Sequence, residues 1–245
     1  MNLLEREFLG GMILRLCSLS RLVLAFAFLL VFLPGVYCDQ RENRLFLAPL
    51  CRDKRVLDLC CYHGGFALHA AKIGGARSVT AVDSSAAALD IAQTNAELNN
   101  CEDEVKFVHS DITDFMQSAI AHAKNDDDEL YDVVILDPPK LAPTAARLDK
   151  ARRKYHSFNR DAIQLVSRSK GGLLLTCTCS ASMTQKDGGQ YFLNTVHAAA
   201  LAAKRQVSLL NVRGAASCHV QSPIAWPAGD YLTAALFYVH PIEES

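Results

Sequence analysis

The sequence has no G-x-G-x-x-G element, no internal repeat and no surplus of either charge. Each absence narrows the function. Without glycines at that spacing, the pyrophosphate of a dinucleotide has no fingerprint loop to enter. With 25 Lys plus Arg against 26 Asp plus Glu, the formal net charge is -1, so no global basic field draws nucleic acid or anionic membrane. Any contact with RNA must come from a local patch. The nine cysteines lack the regular spacing of a small disulfide scaffold, so free thiols in an intracellular reducing compartment, the cytoplasm or an organelle such as a chloroplast or mitochondrion, are expected.

What is present begins with an uncharged run, Leu22 to Cys38, preceded by Arg15 and Arg21. It has the form of a signal or anchor, though it is shorter than the ~20 residues of a membrane span and is cut by Pro34-Gly35. Residues 1–37 are therefore read as an apolar leader, signal-like, anchor-like or a non-native start, and 38–245 as one domain. Membrane association would run through residues 22–38 alone.

From Lys54 onward short β-rich runs alternate with helical stretches. The runs RVLDLC, SVTAV, VKFVH, YDVVIL and GGLLLTC read as buried parallel strands. Helices are expected over Ser84/Ser85 to Asn100, Gly65 to Ile73, Ile112 to Ala123, Tyr155 to Ser169 and Gln190 to Ala203. That order implies an α/β fold with a doubly wound sheet. Two last runs, QVSLLNV and LTAALFYV, are joined by the loop around IAWPAGDY and are expected to close the sheet as an antiparallel pair. The acidic NDDDEL reads as a solvated connection.

In such a sheet, ligands gather outside the carboxyl ends of the strands. After the first strand, DLCCYHGGF supplies Gly64 and Gly65 for a tight turn into a helix N-terminus. After the second stands Asp83, an acceptor for ribose hydroxyls. After the third stands Asp111, an acceptor for an adenine amino group. Each carboxylate alone would be an ordinary helix cap. Together they describe a nucleoside with little demand for phosphate, pointing to S-adenosylmethionine (SAM). After the fourth strand, LDPPK holds Asp137 on a loop stiffened by two prolines.

After the fifth strand come Cys177 and Cys179, which share a face in an extended chain. Packing, a metal site, a disulfide and a nucleophile are the four readings. A disulfide between them is geometrically awkward. No second pair of Cys or His at finger-like spacing accompanies them, so no metal is expected. Packing stays open, since free cysteine is a small hydrophobe. A nucleophile makes sense with a substrate that needs covalent activation, and cytosine is one. Its C5 carbon takes a methyl group once a thiolate has added to C6, and a carboxyl on the N3 and N4 side, such as that of Asp137, would stabilise the charge on the ring.

The segments VYCDQRENR, VLDLCCYHGGFALHAA, VTAVDSSAAALDIAQTNAELN, YDVVILDPPK, YHSFNRDAIQLV and GGLLLTCTCSASM resemble the catalytic half of the PUA-containing rRNA large subunit methyltransferase I family, which methylates cytosine C5. The likeness runs from about Val36 through PAGDYLTAALFYV. It implies a class I SAM-dependent methyltransferase, a Rossmann-like seven-stranded sheet with an antiparallel C-terminal strand. It implies cofactor binding by Asp58, Cys60, Tyr62, Gly64, Gly65, Phe66, Asp83, Ser84, Asp111, Ile112 and Asp137, with Cys179 of Thr178-Cys179-Ser180 as nucleophile and Asp137 beside it. Cys177 falls where the family has another residue and reads as packing or a spare thiol.

The sequence departs from that family in lacking the PUA module and the β-rich domain that precede the core. The implied substrate is RNA, with ribosomal RNA as the expected target, and the basic, aromatic stretch KARRKYHSFNR is the candidate contact, with Lys140, Arg152, Arg153 and Tyr155 as substrate-binding residues. Two other readings compete. An adenine- or glutamine-N methyltransferase would place an aromatic where Lys140 stands and has no use for Cys179. A truncated, noncatalytic SAM-binding protein with a membrane anchor would explain the leader but not the retained Asp137 and Cys179.

Overall fold

A computed structural model describes residues 37–123, 127, 130–142, 145–219 and 229–242. The leader before residue 37 and most of the IAWPAGDY loop lie outside the described residues. Among the described residues, no helix is long and apolar enough to cross a membrane.

Seven strands form one sheet: β1 (Arg55–Leu59), β2 (Ser78–Asp83), β3 (Val105–His109), β4 (Val133–Leu136), β5 (Gly172–Thr178), β6 (Val207–Arg213) and β7 (Thr233–Val239). Their order is β3-β2-β1-β4-β5-β7-β6. The first five are parallel, with Leu57 opposite Thr80 on one side and Val134 on the other. β7 runs antiparallel to both neighbours, so the final pair does close the sheet, with β7 inserted between β5 and β6.

Because both faces are covered, the central strands are buried along most of their length, and alternate residues feed opposite layers. Leu57, Leu59, Val134 and Leu136 pack on one side with α4 (Ile112–His122), α5 (Leu148–Gln164) and α7 (Gln190–Ala202). Val56, Val133 and Ile135 pack on the other with α1 (Arg41–Leu47), α2 (Gly65–Leu68) and α3 (Ala86–Leu98). A four-residue helix, α6 (Ala181–Thr184), follows β5.

Three local readings change. The helix expected from Gly65 to Ile73 is α-helical only to Leu68 and continues as a π turn over His69–Ile73. α5 starts at Leu148 rather than near Tyr155, because Leu148, Ala151, Tyr155, Phe158 and Ala162 make one apolar stripe at helical spacing. Within the acidic connection, Asp127 is no idle solvated charge. It accepts hydrogen bonds from Ser167 Oγ at 2.8 Å and from the Arg168 amide at 2.7 Å, tying its loop to the entry of β5.

Candidate active site

A cavity of about 690 Å³ opens across the carboxyl ends of β1, β2, β3, β4 and β5. The turn after β1 is its floor. Cys60 and Tyr62 both take left-handed backbone conformations (φ 64° and 50°), which cost about 1–2 kcal/mol each for a residue with a β-carbon. Two bonds hold that geometry: the Tyr62 amide donates to Asp83 Oδ2 at 2.9 Å, and the Cys61 amide to the Val82 carbonyl at 3.0 Å. Asp83 also accepts from the Ser85 amide at 2.9 Å, and Ser85, rather than Ser84, caps α3. Asp111 caps α4, accepting from the Thr113 amide at 2.7 Å, and that bond lowers its pKa. Cys60, Tyr62, Gly65, Phe66, Asp83, Ser84, Asp111 and Ile112 all line the cavity.

Asp58 and Gly64 do not line it. Asp58 is buried beneath the turn, where its Oδ2 accepts from the Ala67 amide at 2.9 Å. Burial pushes its carboxyl up to about 7, with the Asp137 charge adding and Arg44 opposing. Gly64 precedes α2 at φ 79°, a left-handed conformation that a residue with a β-carbon adopts only at a cost, and it packs beside Leu68 and Ala92 of the core. It serves the turn and the packing.

Asp137 and Cys179 share the other end of the cavity. Asp137 follows β4, its amide donating to the Leu59 carbonyl at 3.3 Å. Burial raises its carboxyl to about 6, while Arg44, Gln40 and the Cys177 thiol nearby favour the charged form. Cys179 lies just past β5, half-buried, its pKa raised to about 11 by burial and by Asp137, with Lys140 opposing. Cys177 is fully buried against the sheet and reaches Asp137 from behind, so the two cysteines do not play equivalent parts. Among the described residues, no group of His, Cys, Asp or Glu gathers as a metal site, and the cysteines are free thiols.

Tyr155 corrects the sequence reading. It is fully buried on the core stripe of α5 and cannot stack a base. It serves the site from below instead, accepting a hydrogen bond from Thr178 Oγ1 at 2.8 Å, and the same hydroxyl receives the Ser180 amide at 3.3 Å. The Thr178-Cys179-Ser180 turn is pinned on both sides of the thiol. Arg152 and Arg153 are exposed on the opposite face of α5 and do not line the cavity; Lys140 lines it at an exposed rim.

The residue-level reading missed a third wall. Asp39, Gln40 and Arg44, all buried, line the cavity from the segment before β1, and Tyr231 reaches in from before β7. Tyr231 donates to Asp39 Oδ2 at 2.8 Å. Asn43 secures the segment by donating to Gln40 Oε1 at 2.7 Å and accepting from Arg213 of β6 at 3.2 Å. The only signal was the string CDQRENR, whose polar residues sit on a short helix with no apolar period to announce burial.

The methyltransferase small domain model matches residues 28–154. The chain belongs to the methyltransferase small domain family. Ribosomal RNA large subunit methyltransferase I of Aeromonas hydrophila is 41% identical over 201 residues, covering 81% of this chain and 47% of that protein. The enzyme of the same name from Shewanella frigidimarina is 40% identical over 199 residues, covering 81% of this chain and 47% of its own. The chain thus spans about half the length of these relatives. A Streptococcus mutans structure described as a candidate SAM-dependent methyltransferase superposes with a TM-score of 0.69 at 24% identity, over 83% of this chain and 50% of that one. That likeness gives the chain the fold of class I SAM-dependent methyltransferases, and the family match makes it a methyltransferase domain.

Proposed function

We propose that this domain forms 5-methylcytidine in ribosomal RNA, with Cys179 as covalent nucleophile. The observation that carries the reading is the placement of Cys179 and Asp137 in one cavity with Asp83 and Asp111. The large-subunit rRNA methyltransferases to which the chain is similar supply the substrate class.

The residues fit SAM. Asp83 and Asp111 offer acceptor oxygens for ribose and adenine, and buried polar atoms of Asp39, Gln40 and Arg44, which line the cavity, have no hydrogen-bond partner among the described residues. When bound, SAM supplies an electrophilic methyl group. Cys179 Sγ gives its proton to a base and, as thiolate, adds to C6 of cytosine, breaking the C5–C6 double bond so that its electrons are available at C5. Once C5 carries the methyl group and has given its proton to a base, the double bond re-forms and Cys179 leaves as thiolate. Asp137, with a carboxyl near 6, presents a proton or a hydrogen bond to the N3 side of the ring while charge accumulates there. Arg152 and Arg153, exposed outside the cavity, would offer their charges to a phosphate backbone.

The test is methyl transfer from isotopically labelled SAM to unmodified ribosomal RNA, with nucleosides resolved by mass spectrometry. Label in 5-methylcytidine is expected, and Cys179→Ala abolishes it while SAM still binds. Label in N6-methyladenosine, or full activity in Cys179→Ala, would overturn the assignment.

A further inference from the structure

Arg44 is a charged side chain that the fold buries without a hydrogen-bond or ion-pair partner among the described residues. Only 7% of its surface is exposed. Its side chain makes no ion pair and no hydrogen bond among the described residues, and its Nε is buried without an acceptor. The carboxylates around it, those of Asp137, Asp39 and Asp58, raise its pKa by their charge yet stand beyond ion-pair distance. A guanidinium carries five N–H donors, and leaving the buried Nε unmet is costly, so a site that keeps one is suited to an acceptor that arrives from outside.

The surroundings say where that acceptor sits. The guanidinium lies over the Phe66 ring, 5.7 Å from its centroid. A β-carbon at Gly65 would stand 2.7 Å from Arg44 Cζ, so this glycine leaves room for the guanidinium beneath the turn after β1. Arg44, Gly65 and Phe66 line the same cavity as Asp83 and Asp111, whose negative charge makes that end unsuited to an anion. A polynucleotide phosphate cannot reach a group so deeply covered. A small ligand's carboxylate can.

We infer that Arg44, admitted by Gly65, binds the carboxylate of the amino-acid end of the cofactor. The inference rests on the reading that the cavity takes SAM. Arg44 then fixes the direction in which the ligand lies, carboxylate at the β1 turn and nucleoside toward Asp83 and Asp111, which leaves the sulfonium beside Asp137 and Cys179.

The experiment compares SAM with its decarboxylated form, which differs only in that carboxylate, by isothermal titration calorimetry on the full chain. The unmodified protein should bind SAM about ten- to hundredfold more tightly, as expected for charge-assisted bonds to an arginine. Arg44→Gln should lower SAM affinity to the level of the decarboxylated ligand and leave the latter's affinity unchanged. Gly65→Ala, which displaces the guanidinium without removing it, should erase the same preference. Equal affinities in the unmodified protein would overturn the inference, as would a preference that survives in both variants or equal losses for both ligands. Should Arg44→Gln fail to fold, Gly65→Ala and the unmodified protein still decide. Binding of neither ligand would instead reject the cofactor reading, and the inference with it.

Discussion

At the residue scale the site is a set of carboxyls and thiols whose charges oppose one another. Burial, with the Asp137 charge adding to it, holds the Cys179 thiol near 11, so the nucleophile rests protonated. Asp137→Asn removes that charge without changing shape. Alkylation of Cys179 by iodoacetamide at pH 8, followed peptide by peptide in the mass spectrometer, should become several-fold faster; an unchanged rate would disconnect the two groups. Asp58 gives a stability signature. Its folded-state pKa, about 7, lies above that of an unfolded aspartate, so the folded state holds its proton more tightly. That stability is complete below pH ~4 and is lost as pH rises through about 7. Asp58→Asn cannot ionise and still accepts from the Ala67 amide. Without ligand it should exceed the unmodified protein in thermal stability at pH 8 by ~2–4 kcal/mol, with little difference at pH 4. Equal melting temperatures at both pH values would refute the shift.

At the element scale, what matters is how a strand end, a turn and a helix start fit together. The β1 turn is held open by Asp83, two of whose bonds go to backbone amides. Asp83→Ala frees those amides and lets Cys60 and Tyr62 leave their left-handed conformations. Affinity for S-adenosylhomocysteine should fall at least tenfold by calorimetry, and an unchanged dissociation constant would remove Asp83 from cofactor binding. α5 shows the limit of reading a basic stretch by composition. KARRKY looked like one contact surface, but helical geometry divides it, sending Tyr155 into the core and Arg152 and Arg153 to solvent.

At the scale of the whole molecule, the sheet is most protected at its middle and least at its β6 edge. Val56, Leu57, Ile135 and Leu136 are fully buried, whereas Leu209, Leu210 and Val212 of β6 are 40%, 53% and 48% exposed. Amide exchange read by mass spectrometry should be slowest in β1, β4 and β5 and fastest in β6, because local opening follows burial and ladder pairing. Slow exchange in β6 would mean that its free edge is covered in solution.

The sequence by itself determined the alternation of strands and helices, the antiparallel closure, and the strand-end residues that face the cavity. These follow from apolar runs of strand length and from chemistry placed after them, which are local properties of the chain. Tertiary structure decided what depends on distant neighbours. It buried Tyr155 under the Cys179 turn, set Asp58 and Gly64 beneath the floor rather than in the wall, and separated Cys177 from Cys179. It also brought Asp39, Gln40 and Arg44 to the mouth of β1, a placement no periodicity announces, because a polar side chain is recognisable as buried only from the residues that close over it.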